Sequence, residues 1–246
     1  MGGFMQMLAS ERLKLSKSPI WLLVLVSPLI SLAIGMLDSL NNVAEEDVGK
    51  ALLSSMSMLH GMLLMPIMTG ILSAFVCRYE HGGGGWKQLL SLPVSRTSVY
   101  TAKLSAVALL LLAGQLLFVG AASVVFLAKG VEGGIAWELI LPSAFSGWAA
   151  CLPLAALQLG ISIGWSSFAA PLVVNVMLTL PNMLVVNSAK FGPFYPWAQP
   201  VLLMLSNGTM DFGGFTVPFL ALLLTVGGSF IVFTAGSLVY FRRKEL

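Results

Sequence analysis

Long apolar stretches alternate with short polar ones along this chain, and the apolar stretches determine the predicted architecture. A helix needs about 20 predominantly apolar residues to cross the hydrocarbon layer of a bilayer. Six stretches qualify, at approximately 19–37, 52–77, 104–128, 138–164, 168–187 and 217–240. The pattern predicts one all-α integral membrane domain over residues 1–246, with six transmembrane helices. The fourth stretch contains Pro153 and the fifth Pro181, and we expect both to be kinks that neighbouring helices accommodate.

Composition excludes a soluble globular domain. Of the 246 residues, 57% are hydrophobic and 9% are charged, with a mean hydropathy of +0.92. Soluble domains carry roughly 25% charged residues because their surfaces face water. We therefore expect lipid to cover most of the outer surface. Two cysteines are too few for a disulfide framework.

The basic residues predict the orientation in the membrane. Basic residues are enriched in the short loops on the cytoplasmic side of membrane proteins. With the N-terminus inside, 10 of the 13 basic residues lie in cytoplasmic segments. These ten are Arg12, Lys14, Lys17, Arg78, Lys87, Arg96, Lys103, Arg242, Arg243 and Lys244. The pattern places both termini and the loop 78–103 in the cytoplasm.

Two segments outside the spans are predicted to lie at the membrane surface. Residues 4–17 place Phe4, Leu8 and Leu15 on one side of a helix and polar residues on the other, which indicates an interfacial helix. The alternative is a solvated basic lead-in. Between 187 and 216 a proline- and aromatic-rich segment contains a short apolar piece, 201–205, too short to cross. It predicts an outer re-entrant element before the last span.

The sequence lacks the motifs of membrane enzymes. No phosphate-binding P-loop, GxSxG or HExxH pattern occurs, and no cluster has metal-ligand spacing. We place His60 and His81 at opposite ends of the second span and expect no ionisable residue deep in any span. The prediction is a chain with no catalytic residue, no metal and no bound cofactor. Any transport energy would then come from a separate cytoplasmic subunit.

Uncharged polar and methionine side chains within the spans are candidates for a substrate path. Amides in membranes more often form hydrogen bonds between helices, and methionine also packs adaptably against varied neighbours. Both alternatives stay open. The candidates are Gln115, Gln158, Asn175, Met62 and Met65.

The loop 78–103 is predicted to contain a short amphipathic helix. Glycines 82–85 break the second span, and Ser95 is a candidate N-cap for the third. Between them, Trp86, Leu89, Leu90 and Pro93 recur at i, i+3, i+4 and i+7, and so share one helix face. This apolar face fits either a groove in a partner protein or the membrane and the ends of the spans.

These loop residues carry a resemblance to a known family. Glu80, Trp86, Leu89-Leu90, the run 92–96 and Lys103 resemble the loop between spans two and three of ABC-2-type transporter permeases. The opening run 11–21 resembles the permeases of lantibiotic immunity and bacitracin export. The resemblance implies a permease in the bacterial plasma membrane that removes antimicrobial peptides. Alternatives are export of another drug, lipid or ion, or a membrane scaffold or sensor that moves nothing.

The resemblance also implies partners and coupling residues. The expected partners are a dimeric ABC ATPase that binds ATP and Mg²⁺, a second permease (identical or homologous), membrane lipid and a peptide substrate, but no nucleic acid. Glu80 would pair with an arginine of the partner, or within this chain with Arg78, Arg96 or Lys103. The residues expected to couple to the ATPase are Glu80, Trp86, Leu89, Leu90, Pro93 and Arg96.

Overall fold

The computed structural model describes residues 2–16, 18–39, 43–206 and 212–244, and its regular elements in these ranges are all helices. The all-α prediction is confirmed for this part of the chain. The α-helices are α1 (Gly2–Ser16), α2 (Ile20–Leu37), α3 (Val48–Leu59), α4 (Met65–His81), α5 (Gly85–Ser91), α6 (Arg96–Ala128), α7 (Trp137–Gly164), α8 (Ala169–Thr179), α9 (Asn182–Val185), α10 (Gln199–Met204) and α11 (Phe219–Arg243). The predicted interfacial helix ends at Lys17, which lies outside the described residues.

Among the described residues, five helices are long and apolar enough to cross a membrane. They are Ile20–Leu37, Glu45–His81, Arg96–Ala128, Trp137–Gly164 and Phe219–Arg243. The predicted count of six is not confirmed, because the stretch 168–187 forms two short helices, α8 and α9. They separate at Pro181, which has no amide hydrogen to donate to the preceding turn.

The second span is longer than the sequence pattern predicts. The apolar run suggested 52–77, whereas the helical segment covers Glu45–His81, or 37 residues. It begins with a 3₁₀ turn at Glu45–Asp47 and continues through α3, a π-helical segment at His60–Leu64 and α4. Helices of this length reach about 55 Å at 1.5 Å per residue, well beyond a hydrocarbon layer of about 30 Å. Their terminal turns therefore project past the apolar layer.

One end of the helix bundle collects most of the charged side chains. Lys14 of α1 reaches Glu80 in the last turn of α4. Arg96, at the start of α6, donates to the carbonyl of Lys244 just after α11, and Lys244 donates to the carbonyl of Gly164 at the end of α7. Because α5 lies here too, we call this region the α5 end.

Small residues allow close helix packing inside the bundle. Gly160 and Gly164 of α7 face Ser237 and Tyr240 of α11, so this pair of helices packs within the chain. A Cβ atom at Gly61 would lie 2.9 Å from the Cα of Val201. This close approach brings α10, whose residues are all buried, against the π-helical segment and α7.

Candidate functional site

The α5 end contains the loop that the sequence singled out. Gly83 and Gly84 adopt left-handed backbone angles, with φ of 58° and 75°, which glycine accepts without steric cost. The chain reverses there and forms α5, a helix of seven residues. Ser95 caps α6 as predicted, because its side-chain oxygen accepts a hydrogen bond of 3.0 Å from the amide of Ser98.

Trp86 lies in the chain's own core. Its side chain is 5% exposed, and its Nε1 donates to His81 Nδ1 at 3.2 Å. The indole packs edge-on against Phe241 of α11 at 5.4 Å, and Lys103 Nζ lies 5.7 Å from its centre. Leu89 and Leu90 pack partly buried against the same core.

The apolar face of α5 therefore lies on the ends of the spans, one of the two placements that its spacing left open. The opposite face, with Lys87, Gln88 and Ser91, is exposed. Pro93 is exposed as well, although the spacing grouped it with the apolar face, because the helix ends before Leu92 in extended backbone. Leu92 is 53% exposed.

Three buried ionic side chains and one partly buried lysine lie beneath α5, and we call them the charged cluster: Glu11, Glu80 and Lys103, with Lys14. Lys103 Nζ donates to Glu80 Oε2 at 2.7 Å, to Glu11 Oε1 at 3.1 Å and to the Val76 carbonyl at 2.5 Å. Lys14 Nζ lies 2.8 Å from Glu11 Oε1 and 2.5 Å from Glu80 Oε1. Two carboxylates thus face two ammonium groups, and the cluster balances its own charge.

The charged cluster joins three helices that are distant in sequence. Isolated buried charges cost several kcal/mol each, so an arrangement like this is stable only when every ion is paired. Burial opposes the charge on Lys14, but its hydrogen bonds and attraction to Glu11 and Glu80 outweigh burial and raise its pKa. Through these pairs α1 is fixed to α4 and α6.

Glu80 pairs within the chain. Of the partners considered from the sequence, the structure selects Lys103 and adds Lys14, which the sequence did not indicate. Glu80 is 4% exposed, so in this conformation it is covered from outside. Glu11 of α1 is buried as well, because Lys103 reaches it. The one local feature of the sequence that indicates an ion pair for Glu11 is its i to i+3 spacing from Lys14.

Arg96 closes the end of the last helix. Its Nη1 donates to the carbonyls of Phe241 at 2.7 Å, Arg242 at 3.1 Å and Lys244 at 2.6 Å. The last carbonyls of a helix lack partners within the helix, and a cation there also interacts favourably with the helix dipole. The residue expected to contact a partner thus caps α11 in this structure.

Two of the substrate-path candidates belong to a network of amides inside the bundle. Asn175 of α8 donates to the Pro66 carbonyl at 2.9 Å and accepts from Gln158 Nε2 at 3.0 Å and from Trp197 Nε1 at 2.9 Å. Asn182 donates to the carbonyls of Met62 and Trp197, both at 2.8 Å. We call Gln158, Asn175, Asn182 and Trp197 the amide network. It ties α8 to α4 and α7, and α9 to the π-helical segment.

Gln115 belongs to a different group, around His60. His60 Nδ1 lies 2.7 Å from Ser27 Oγ, its Nε2 lies 3.4 Å from Gln115 Oε1, and its ring stacks on Phe118 at 4.4 Å. The placement of His60 at an end of the second span is wrong, since this span begins seven residues earlier than the apolar run. The expectation of no ionisable residue deep in a span is wrong for the same reason, because His60 is fully buried near the middle of the helix.

The five substrate-path candidates do not form one group. Gln158 and Asn175 lie together, and Gln115 lies with His60. Met62 packs with the cluster around α10, and Met65 packs in the core at the α5 end. All five are buried in this conformation, and their role in a substrate path stays a prediction.

Grooves open between the helices, and two of them are large. One, of about 610 Å³, lies between α1, α2 and α6. The other, of about 460 Å³, lies between α7 and α11. Over the ranges that the structure describes, no three histidine, cysteine or acidic residues gather in a way that could hold a metal ion.

Comparison with known proteins identifies the family. Residues 7–182, which are more than half of the chain, match the family model described as ABC-2 family transporter protein. No individual curated protein matches the chain. The matched range includes most of α1, the charged cluster, α5 and the helices up to the start of α9. This chain, a multi-pass membrane protein, belongs to the ABC-2 transporter family.

Proposed function

We propose that the chain is the permease subunit of an ATP-driven exporter in the bacterial plasma membrane, and that its α5 end receives a cytoplasmic ABC ATPase. The observation that carries the proposal is the two-sided construction of α5. Its inner face is fixed to the spans through Trp86, its outer face presents Lys87 and Gln88 to the surroundings, and Leu92 is exposed just after the helix. The outer face is where we expect the ATPase to bind.

Movement of α5 would be transmitted to most of the bundle through side-chain contacts. Trp86 contacts Phe241 of α11 and His81 of α4, and His81 Nε2 lies 2.7 Å from the Ser162 carbonyl of α7. Lys103 beneath the indole belongs to α6 and holds α1 through Glu11. A displacement imposed on α5 by ATP-driven closure of the ATPase would therefore act on five helices.

We propose six crossings with both termini cytoplasmic. The ends of α7 and α11 meet at the α5 end through Lys244 and Gly164. Because α11 is long enough to cross, it has to begin at the opposite end. The chain between 165 and 218 then has to travel from one end to the other, which makes α8 to α10 a broken sixth crossing that includes the buried, re-entrant α10.

The proposed cargo is an antimicrobial peptide taken from the membrane. Support comes from the resemblance of the opening run 11–21 to immunity and bacitracin-export permeases. The apolar side of α11 is uncovered along its length, for example at Leu220, Leu224 and Ile231. We propose that this side faces lipid or a second permease, identical or homologous, in the assembled exporter.

The test is protection of cells by the pair of subunits. The chain is produced in a lantibiotic-sensitive bacterium with the ABC ATPase encoded beside it, and survival is measured against nisin. We expect protection that disappears when the P-loop lysine of the ATPase is replaced by alanine. An ATPase that copurifies with the chain but gives neither protection nor ATP-dependent export would instead favour the scaffold alternative. Protection by the chain alone would contradict the proposed energy source.

A further inference from the structure

The groove between α1, α2 and α6 has an apolar lining with one cation at its opening. Met7, Glu11 and Leu15 form the side of α1 that packs on α6. The neighbouring side of α1 stands away from α2 and α6 and leaves a space of about 610 Å³. The lining includes Met5, Leu8, Ala9, Arg12, Trp21 and Leu109.

Arg12 is a charge without a counter-ion in the described part of the chain. It is exposed at the groove, and none of the ion pairs or hydrogen bonds there includes it. The acids nearby among the described residues are Glu11 and Glu80, and both are already neutralised by Lys14 and Lys103. Because the charged cluster is neutral without Arg12, the described part of the chain offers no anion for this guanidinium, and we look for one outside it.

The groove runs from a charged layer into the apolar layer. Lys103 marks the charged layer on α6, and Leu110, which also lines the groove, lies about 10 Å further along that helix at 1.5 Å per residue. Trp21 is half exposed beside it, the position that tryptophan favours at the boundary between headgroups and hydrocarbon. A ligand that lies along the groove therefore contacts the Arg12 guanidinium at one end and apolar side chains along the rest of its length.

We propose that this groove binds one anionic phospholipid of the adjacent leaflet, with its phosphate on Arg12 and one acyl chain along α6. A guanidinium pairs with a phosphate through two parallel hydrogen bonds. A zwitterionic headgroup has the same phosphate, but its own cation lies beside it and competes with the guanidinium. The acyl chain covers Leu8, Ala106 and Leu109. The lipid fills the space between α1 and the spans, and so steadies the helix that contributes Glu11 and Lys14 to the charged cluster. The binding does not depend on what the protein transports.

Lipid retention by the purified full-length chain tests this inference. The protein is exchanged into detergent containing phosphatidylglycerol and phosphatidylcholine with identical acyl chains, and bound lipid is counted by native mass spectrometry. We expect one phosphatidylglycerol per chain, retained about tenfold more than phosphatidylcholine. Arg12→Gln abolishes the preference, and Arg12→Lys restores part of it. Arg243→Gln, which removes another exposed arginine at the same end, leaves it unchanged.

A second variant tests the groove itself. Ala9→Trp fills the space beside α1, and we expect it to exclude both lipids while the protein remains monodisperse on size exclusion. Equal retention of the two lipids by the parent overturns the assignment of Arg12. A parent that retains no lipid, or a dimer that Ala9→Trp dissociates, overturns the lipid site and assigns the groove to detergent or to a second copy of the chain.

Discussion

The charged cluster and the amide network are both buried and polar, but they satisfy their polar groups differently. In the charged cluster, each carboxylate contacts two ammonium groups and each ammonium contacts two carboxylates. In the amide network, the oxygens of Gln158 and Asn182 have no hydrogen-bond partner among the described residues. The charged groups are fully paired, whereas the neutral groups are only partly paired.

The difference follows from the cost of leaving each kind of group alone. An unpaired buried ion costs several kcal/mol, and each ion of the charged cluster is accordingly paired with ions of opposite sign. An unpaired amide oxygen costs less, about 1–3 kcal/mol. Hydrogen bonds between helices in a membrane contribute on average about 0.6 kcal/mol. The interior of the bundle can therefore contain an amide whose oxygen lacks a hydrogen bond, but not a charge that lacks a counter-ion.

The largest loss of stability is expected when one ion is removed from the charged cluster and its charges no longer balance. Lys103→Met leaves Glu11 and Glu80 sharing Lys14 alone. Since removing one partner from a buried ion pair costs about 3–5 kcal/mol, we expect a large fall in the thermal midpoint of the detergent-solubilised protein. The double variant with Glu80→Gln should recover much of the loss because the charges balance again. A Lys103→Met protein as stable as the parent would show that the cluster is hydrated and energetically neutral.

The next largest effect should come from uncovering the cluster. Trp86→Ala removes the indole above Lys103 and leaves a cavity beside Phe241. Fully burying a large apolar side chain contributes about 1.5–3 kcal/mol, so we expect a loss of that size, with added access of water to the cluster. Hydrogen exchange at the end of α4 measures that access. Gln88→Ala, on the opposite face of the same helix, is the control and should leave exchange unchanged.

A smaller loss is expected in the amide network. Asn175→Leu removes the acceptor of Gln158 and Trp197 and the donor to the Pro66 carbonyl. We expect destabilisation of about 1–2 kcal/mol, below that of Lys103→Met, because only neutral groups lose partners. The thermal midpoint measures it, with the exposed Asn187→Leu as the matched control. If Asn175→Leu cost more than Lys103→Met, the ranking of charged above neutral burial would be reversed.

The smallest effect on stability should come from the outer face of α5 and from the exposed Leu92 just after it. Lys87→Ala and Leu92→Ser change exposed side chains and should alter stability by less than about 0.5 kcal/mol. Their expected effect is on binding, since both residues lie where we propose that the ATPase docks. Copurification of the ATPase with each variant measures it, after membrane insertion is shown to match the parent. Full retention by both variants would place the docking surface elsewhere.

Local sequence patterns predicted the elements of the α5 end better than its packing. The glycine run, the helix after it and the Ser95 cap follow from rules that need only a few neighbouring residues, and the structure has all three. Sequence spacing assigns Trp86 to a helix face but does not say what covers that face. The answer depends on Phe241, which is far away in the chain.

The errors have different origins. The burial of Glu11 was not predicted because its partner Lys103 lies on another helix. His60 was assigned to a span end because the hydropathy pattern shows only the apolar part of the second span, whereas the helix continues through polar residues at Glu45–Lys50. The fifth stretch is apolar enough to count as a span, but Pro181 divides it into α8 and α9, so the count of six is not confirmed.

The π-helical segment at His60–Leu64 determines where the second span can lose a residue without rotating its two halves relative to each other. Such a segment amounts to one residue inserted into an α-helix. Deleting one residue there would restore regular α-helix and leave the relative facing of α3 and α4 nearly unchanged, because the wide turn already absorbs the extra residue. Deleting one residue within α4 would instead turn its end by about 100°, because each residue of an α-helix advances by that angle, and Glu80 would face away from Lys103. An alignment gap at His60–Leu64 is therefore compatible with the same α5 end, whereas a gap within α4 would mark a relative whose α5 end is assembled differently.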